Sequence, residues 1–216
     1  MRENFERQLT ELNEDLIAMG ALCKAAVSES MTALLNSDRQ ARQRTFLLEY
    51  EIDQKERDIE DLCMKLLLRQ QPVARDLRTI SAALKMISDM ERIGDQASDI
   101  ADIVKFLEGS DIAQHVHLRQ MAEAAMKMLT DSIESFVKKD LPLAASVMQA
   151  DDVVDDLFNQ VKTELIQMIS ENPGQGEQCI DILMIAKYFE RIGDHVVNIA
   201  EWVEYSVTGS HRHGEA

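Results

Sequence analysis

ERIGDQASDIAD at residues 91–102 and ERIGDHVVNIAE at residues 190–201 are one pattern written twice. The first five residues are identical. Beyond them Asp99 meets Asn198, Ile100 meets Ile199, Ala101 meets Ala200 and Asp102 meets Glu201. A match at the same place in each half of a chain reads as duplication of one supersecondary unit. Leu77, Ile80, Leu84 and Ile87 lead into the first copy, and Leu183 and Ala186 into the second, at the three- and four-residue steps of a helix face. The copies therefore lie on helices, and a division near residue 110 makes two sequence-related units.

The same periodicity runs outward. Phe5, Leu9, Leu12, Leu16, Met19, Cys23 and Ala26 form a seam for helix packing, broken by Asn36–Ser37–Asp38. A second seam follows at Leu48, Ile52, Ile59, Leu62 and Leu66, with Lys55 out of pattern. After Gln70–Gln71, Pro72 suits the first turn of a third helix, predicted to run to Leu107 and end near Gly109. A fourth helix is predicted over 111–138, a fifth from about Pro142 to before Pro173, and a sixth over 178–207. The expected fold is all-α: six helices as two tandem three-helix bundles, residues 1–110 and 111–208, with a tail at 209–216.

Composition agrees. The 216 residues are 45% apolar and 29% charged, with 8 Gly, 3 Pro and 5% aromatics, so tight β-turns are scarce and long helices natural. The net charge of −16 argues against nucleic acid and against a bare anionic membrane, and suits divalent cations or a basic partner. Cys23, Cys63 and Cys179 stand apart in apolar helical pattern and read as core thiols of a reducing compartment. The polar amphipathic start reads as no signal peptide, and no run of 18 apolar residues would span a membrane. His211 and His213 lie in a tail expected to fray.

Acids interrupt the helix faces in register. Glu91 and Asp95, continued by Asp99 and Asp102, extend the stripe of the third helix, and Glu190 and Asp194, continued by Glu201, extend that of the sixth. Glu49 and Asp53 on the second helix, and Asp151 and Asp155 on the fifth, repeat the four-residue spacing. Antiparallel packing brings two pairs together in each half. Four carboxylates at one interface need protonation, solvent or cations, and an all-oxygen set suits hard ions such as Mg²⁺ or Mn²⁺, or iron, singly or as clusters. A solvated charged face with Arg92 and Arg191 as partners is the plainer reading. Gly94 and Gly193, mid-helix, imply close approach of a neighbouring backbone or a ligand. His195 either extends a site or packs. Asp76 fits the helix dipole of an opening turn.

QQPVARDLR at 70–78, followed by ERIGD at 91–95 and 190–194, resembles the PhoU family over essentially the whole chain. The resemblance implies a cytoplasmic negative regulator of phosphate uptake and of the phosphate-starvation (Pho) regulon. It implies an adaptor between the ATPase subunit of a phosphate ABC transporter and a membrane sensor histidine kinase, recruited to the inner membrane through those partners. By the same resemblance, Glu49, Asp53, Glu91 and Asp95, and Asp151, Asp155, Glu190 and Asp194, are metal ligands. The second half departs at Asn198 and lacks a counterpart of Asp76–Leu77–Arg78, so the two sites need not be equivalent. Long amphipathic helices make a homodimer an expectation. A ferritin-like metalloenzyme would need Glu-x-x-His pairs, which the sequence lacks, and no nucleophile–base pair or Gly-rich phosphate loop points to an enzyme. A metal-free helical scaffold explains the seams but not the acids on them.

Overall fold

A computed structural model describes residues 2–70 and 73–210. Its helices are α1 (Arg2–Asn36), α2 (Arg39–Gln70), α3 (Ala74–Ile103), α4 (Leu118–Lys138), α5 (Leu141–Glu171) and α6 (Gly176–Thr208). No strand occurs among the described residues. The described residues form an all-α fold with six α-helices, as the periodicity demanded. Pro72, His211 and His213 lie outside the described residues.

Local chemistry sets most helix ends. Ser37 takes a left-handed conformation (φ 52°), and Asp38 Oδ1 accepts from the amides of Gln40 at 2.8 Å and Ala41 at 3.1 Å, so the polar break closes α1 and caps α2. Asp140 caps α5 by accepting from the Leu143 amide at 3.0 Å, with Pro142 in the first turn where no amide is needed. Gly209 (φ 80°) ends α6.

Two expected bounds need correction. α3 stops at Ile103, and the residues to Leu107 tighten into a 3₁₀ turn before Gly109 (φ 84°). α4 begins at Leu118 rather than 111, because Ile112–Gln114 forms a separate 3₁₀ turn that buries Ile112 and Ala113. Leu77 is also corrected: expected on the buried face of α3, it is 48% exposed.

α1, α2 and α3 pack together, as do α4, α5 and α6. α3 and α6 lie against each other at the centre of the molecule, with α2 beside α3, α5 beside α6, and α1 touching α4. The central pair is antiparallel: Arg78 early in α3 meets Gly209 after α6, while Asp89 further along α3 meets His195. The seams expected from sequence are buried at Leu12, Leu16, Met19, Cys23, Ile52, Ile59 and Leu66, with Leu9 and Leu48 at their margins. Lys55, out of pattern on the second seam, reaches across to Asp15 on α1 at 3.1 Å. All three cysteines are buried and free. Among the described residues, no helix is long and apolar enough to cross a membrane.

Candidate metal centres

The first acid cluster is built on the contact of α2 with α3. Ile52 lies so close to Gly94 that a Cβ there would stand 3.0 Å from the Ile52 Cδ1. This contact sets the register. Glu49 and Asp53 flank Ile52 on α2, and Glu91 and Asp95 flank Gly94 on α3, all but Glu91's neighbour Arg92 only half exposed. Partial burial, reinforced by Asp53 and Asp95, pushes the Glu49 carboxyl above its ordinary value. Burial and Asp95 do the same to Glu91, to which Glu56 and Asp53 add while Arg92 opposes. The structure thus brings the four expected acids into one field and adds Glu56, which sequence reading missed. Glu56 is raised chiefly by burial and accepts from the Ser88 hydroxyl at 3.4 Å. Its signal was present: it lies one helical step beyond Asp53 on the face that carries Glu49.

The second cluster repeats this construction between α5 and α6. At Gly193 a Cβ would stand 2.9 Å from the Asp151 Oδ1, so the absent side chain leaves the hollow that the carboxylate fills. Burial, then Asp155, Asp194, Asp152 and Glu190, raises the Asp151 carboxyl to about 6. Asp194 is raised by burial and by Glu190, against which Lys187 acts. The expected quartet of Asp151, Asp155, Glu190 and Asp194 is therefore also one electrostatic unit.

The acids do not lie on the buried stripe of α3, as expected, but along its edge. Met90, Ile93, Ala97 and Ile100 continue the core, because α3 is covered by α1, α2 and α6 and needs a wider apolar arc. The added candidates separate from the quartets. Asp102 accepts from Lys105 at 2.8 Å and Arg42 at 3.0 Å, which hold it below the usual carboxylate range. Asp99 is raised by burial and by Asp95, and accepts a hydrogen bond from Tyr188 on α6. Glu201 lies further along α6, half buried. His195 packs across the central pair: its Nδ1 lies 3.0 Å from Asp89 Oδ1, to which Asn198 Nδ2 also donates at 3.1 Å. Asp76 sits in the first turn of α3, where its charge favours the dipole, and no side chain caps that helix.

Among the described residues, no group of three or more His, Cys, Asp or Glu is directly set to hold a metal ion. The carboxylates are turned to nearby cations instead: Asp53 to Arg57 at 3.5 Å, Asp95 to Arg92 at 3.0 Å and Glu190 to Lys187 at 2.5 Å. The donor set still fits a hard cation. It is all oxygen, with Glu49, Glu91, Asp151 and Asp194 raised by burial and then by neighbouring carboxylates, and it is cradled at Gly193. Side-chain rotation within each groove is the adjustment required.

A family model described as "PhoU domain" matches residues 16–104 and again 118–203. A phosphate-specific transport system accessory protein PhoU homolog of Clostridium acetobutylicum is 34% identical over 212 residues, covering 96% of each chain. A homolog of the same description from Pseudomonas aeruginosa is 35% identical, covering 96% of this chain and 87% of its own length. The crystal structure of PhoU from Pseudomonas aeruginosa superposes with a TM-score of 0.87 at 34% identity, covering 95% of this chain and 100% of that one. The PhoU regulatory protein of Streptococcus pneumoniae superposes with a TM-score of 0.84 at 27% identity, covering 96% and 98%.

Proposed function

The chain belongs to the PhoU family, and from that premise we propose that it is a regulatory accessory of a phosphate ABC transporter. It restrains phosphate uptake and represses the Pho regulon when phosphate is plentiful. It does so as an adaptor between the transporter's ATPase subunit and a sensor histidine kinase. It works in the cytoplasm as a homodimer and reaches the inner membrane through these partners. The observation that carries this reading is the match of both repeats, over nearly the full length, to relatives named for the phosphate-specific transport system. The role is regulatory rather than catalytic: paired helices with acid-lined grooves offer surfaces and cation sites.

Metal ions enter the same reading. Glu49, Asp53, Glu91 and Asp95 would hold them in the first half, and Asp151, Asp155, Glu190 and Asp194 in the second. Bound cations would relieve carboxylate repulsion and so tie α2 to α3 and α5 to α6. Magnesium, manganese and iron all suit this donor set.

The test is alkaline phosphatase output in phosphate-rich medium from a strain deleted for this protein. The strain is complemented with wild type, or with a folded variant carrying Glu91→Gln, Asp95→Asn, Glu190→Gln and Asp194→Asn. The expected result is high output in the deletion strain, repression by wild type, and lost repression by the variant. Unchanged repression in the deletion strain would sink the regulator reading. Full repression by the variant would leave the regulator but remove the acids from signalling.

A further inference from the structure

The two acid clusters are built alike but filled differently. The spacing that relates Glu49 to Asp151 relates Glu56 to Phe158, and the spacing that relates Glu91 to Glu190 relates Ser88 to Lys187. In the first half the hydroxyl of Ser88 donates across the groove to Glu56. In the second half the corresponding pair is Lys187 and Phe158, with the ammonium 5.6 Å from the ring centroid. The same ammonium lies 2.5 Å from Glu190 Oε2, on a carboxylate whose side chain is only 16% exposed.

We propose that the clusters are inequivalent cation sites, Lys187 serving as a built-in counter-ion of the second, so that the first, with Glu56 and Ser88 in its place, takes divalent cations more tightly. This rests on the metal-binding reading above. The position decides it. Ser88 and Lys187 point into their grooves, because each meets the residue opposite on the neighbouring helix. The first cluster has basic neighbours too: Arg57 and Arg92 pair along their own helices with side chains 60% and 58% exposed, as Lys187 does with Glu190 at 47%, but Lys187 also lies over Phe158 of the facing helix. Ion pairs along one exposed helix are weak by themselves, so it is the Phe158 face that keeps the Lys187 ammonium at its groove. Lys187 is held by an aromatic face on one side and a largely covered carboxylate on the other, so a cation entering the second groove must displace it or share Glu190 with it. Among the described residues, the first groove offers five carboxylates, and Arg42, which bridges its helices, is held by Asp102 and the Ala101 carbonyl rather than by the quartet. The second offers its quartet, with Asp152 beside Asp151, and one ammonium.

The experiment uses the full chain stripped with chelator and titrated with Mn²⁺, following free Mn²⁺ by electron paramagnetic resonance. Two classes of site are expected in wild type, and Asp151→Asn, which removes the weaker one, identifies it with the second cluster. Lys187→Gln should tighten the weaker class about tenfold or more, since a unit charge is removed beside a divalent ion at a half-exposed site. It should leave the tighter class unchanged. Lys187→Arg, which keeps the charge, should change neither. Glu56→Gln should weaken only the tighter class. Phe158→Leu, which frees the ammonium without altering charge, provides a second route should Lys187→Gln fold poorly. It should tighten the weaker class by a smaller factor. Binding by wild type with the weaker class unmoved in both Lys187→Gln and Phe158→Leu overturns the inequivalence and leaves the metal reading intact. No Mn²⁺ binding by wild type overturns both.

Discussion

At the scale of single residues, Asp151 carries the strongest electrostatic signature of the candidate site. Its carboxyl is raised from an ordinary 3.8 to about 6 by burial and then by Asp155, Asp194, Asp152 and Glu190. A raised acid binds its proton better in the native than in the unfolded chain, so its ionisation opposes folding. That opposition is absent below about pH 4, grows as pH rises to about 6, and is constant above. Solvent screening at this half-exposed position limits it to about 1 kcal/mol. Asp151→Asn should therefore stabilise chelator-treated protein by about 1 kcal/mol at pH 7 and leave it unchanged near pH 4, as urea unfolding at the two pH values would register. Equal effects at both would mean that repulsion among the acids is not what Asp151 feels. The acid quartets were legible from four-residue spacing alone. Glu56 continues that face one helical step beyond Asp53, whereas one Lys on a charged helix, as at Lys187, carries no sign of which neighbour it faces.

At the scale of helix pairs, the two mid-helix glycines do different work. A methyl at Gly94 meets three atoms of the buried, branched Ile52, at 3.0, 3.3 and 3.5 Å. Overpacking there outweighs the helix preference of Ala, so Gly94→Ala should lower stability by about 1 kcal/mol and the melting temperature by about 2–4 °C. A methyl at Gly193 meets the Asp151 carboxylate, which swings away at little cost. Gly193→Ala should hold its melting temperature within about 2 °C of wild type yet weaken Mn²⁺ binding at the second cluster about tenfold, by displacing a ligand. Calorimetry beside a Mn²⁺ titration would check the pair. Matching losses of stability and affinity in both variants would contradict the distinct roles. The glycines announced close approach in the sequence. What approaches, a side-chain methyl in one half and a carboxylate in the other, depends on the neighbouring helix. The late start of α4 has a similar cause: Ile112 and Ala113 are buried by tertiary contacts that a separate 3₁₀ turn permits, whereas the local pattern alone favours continuous helix.

At the scale of the whole molecule, the halves meet through α3 and α6, and polar side chains stitch that seam. Asp89 on α3 takes both His195 at 3.0 Å and Asn198 at 3.1 Å, while Asp99 takes Tyr188 from the other direction. Asp89→Ala removes one partly buried and one exposed hydrogen bond and should destabilise by about 1 kcal/mol, with hydrogen-exchange protection falling first in α3 and α6. Protection lost only in α1 or α4 would mean that the seam is held by its apolar contacts alone. Asn198 and His195 explain why the second repeat departs from the first: they serve the junction between the halves, not a copy of the first site. Helix periodicity, capping and i to i+4 neighbours are local, so the six helices, most of their ends, the duplication and the eight repeated acids could be read along the chain. The exposure of Leu77, the place of the acids at the edge of the buried stripe, and the contact of Lys187 with Phe158 on the facing helix emerge only from packing. Each of those depends on how many helices cover a face and in what register, and such contacts join residues far apart in the chain.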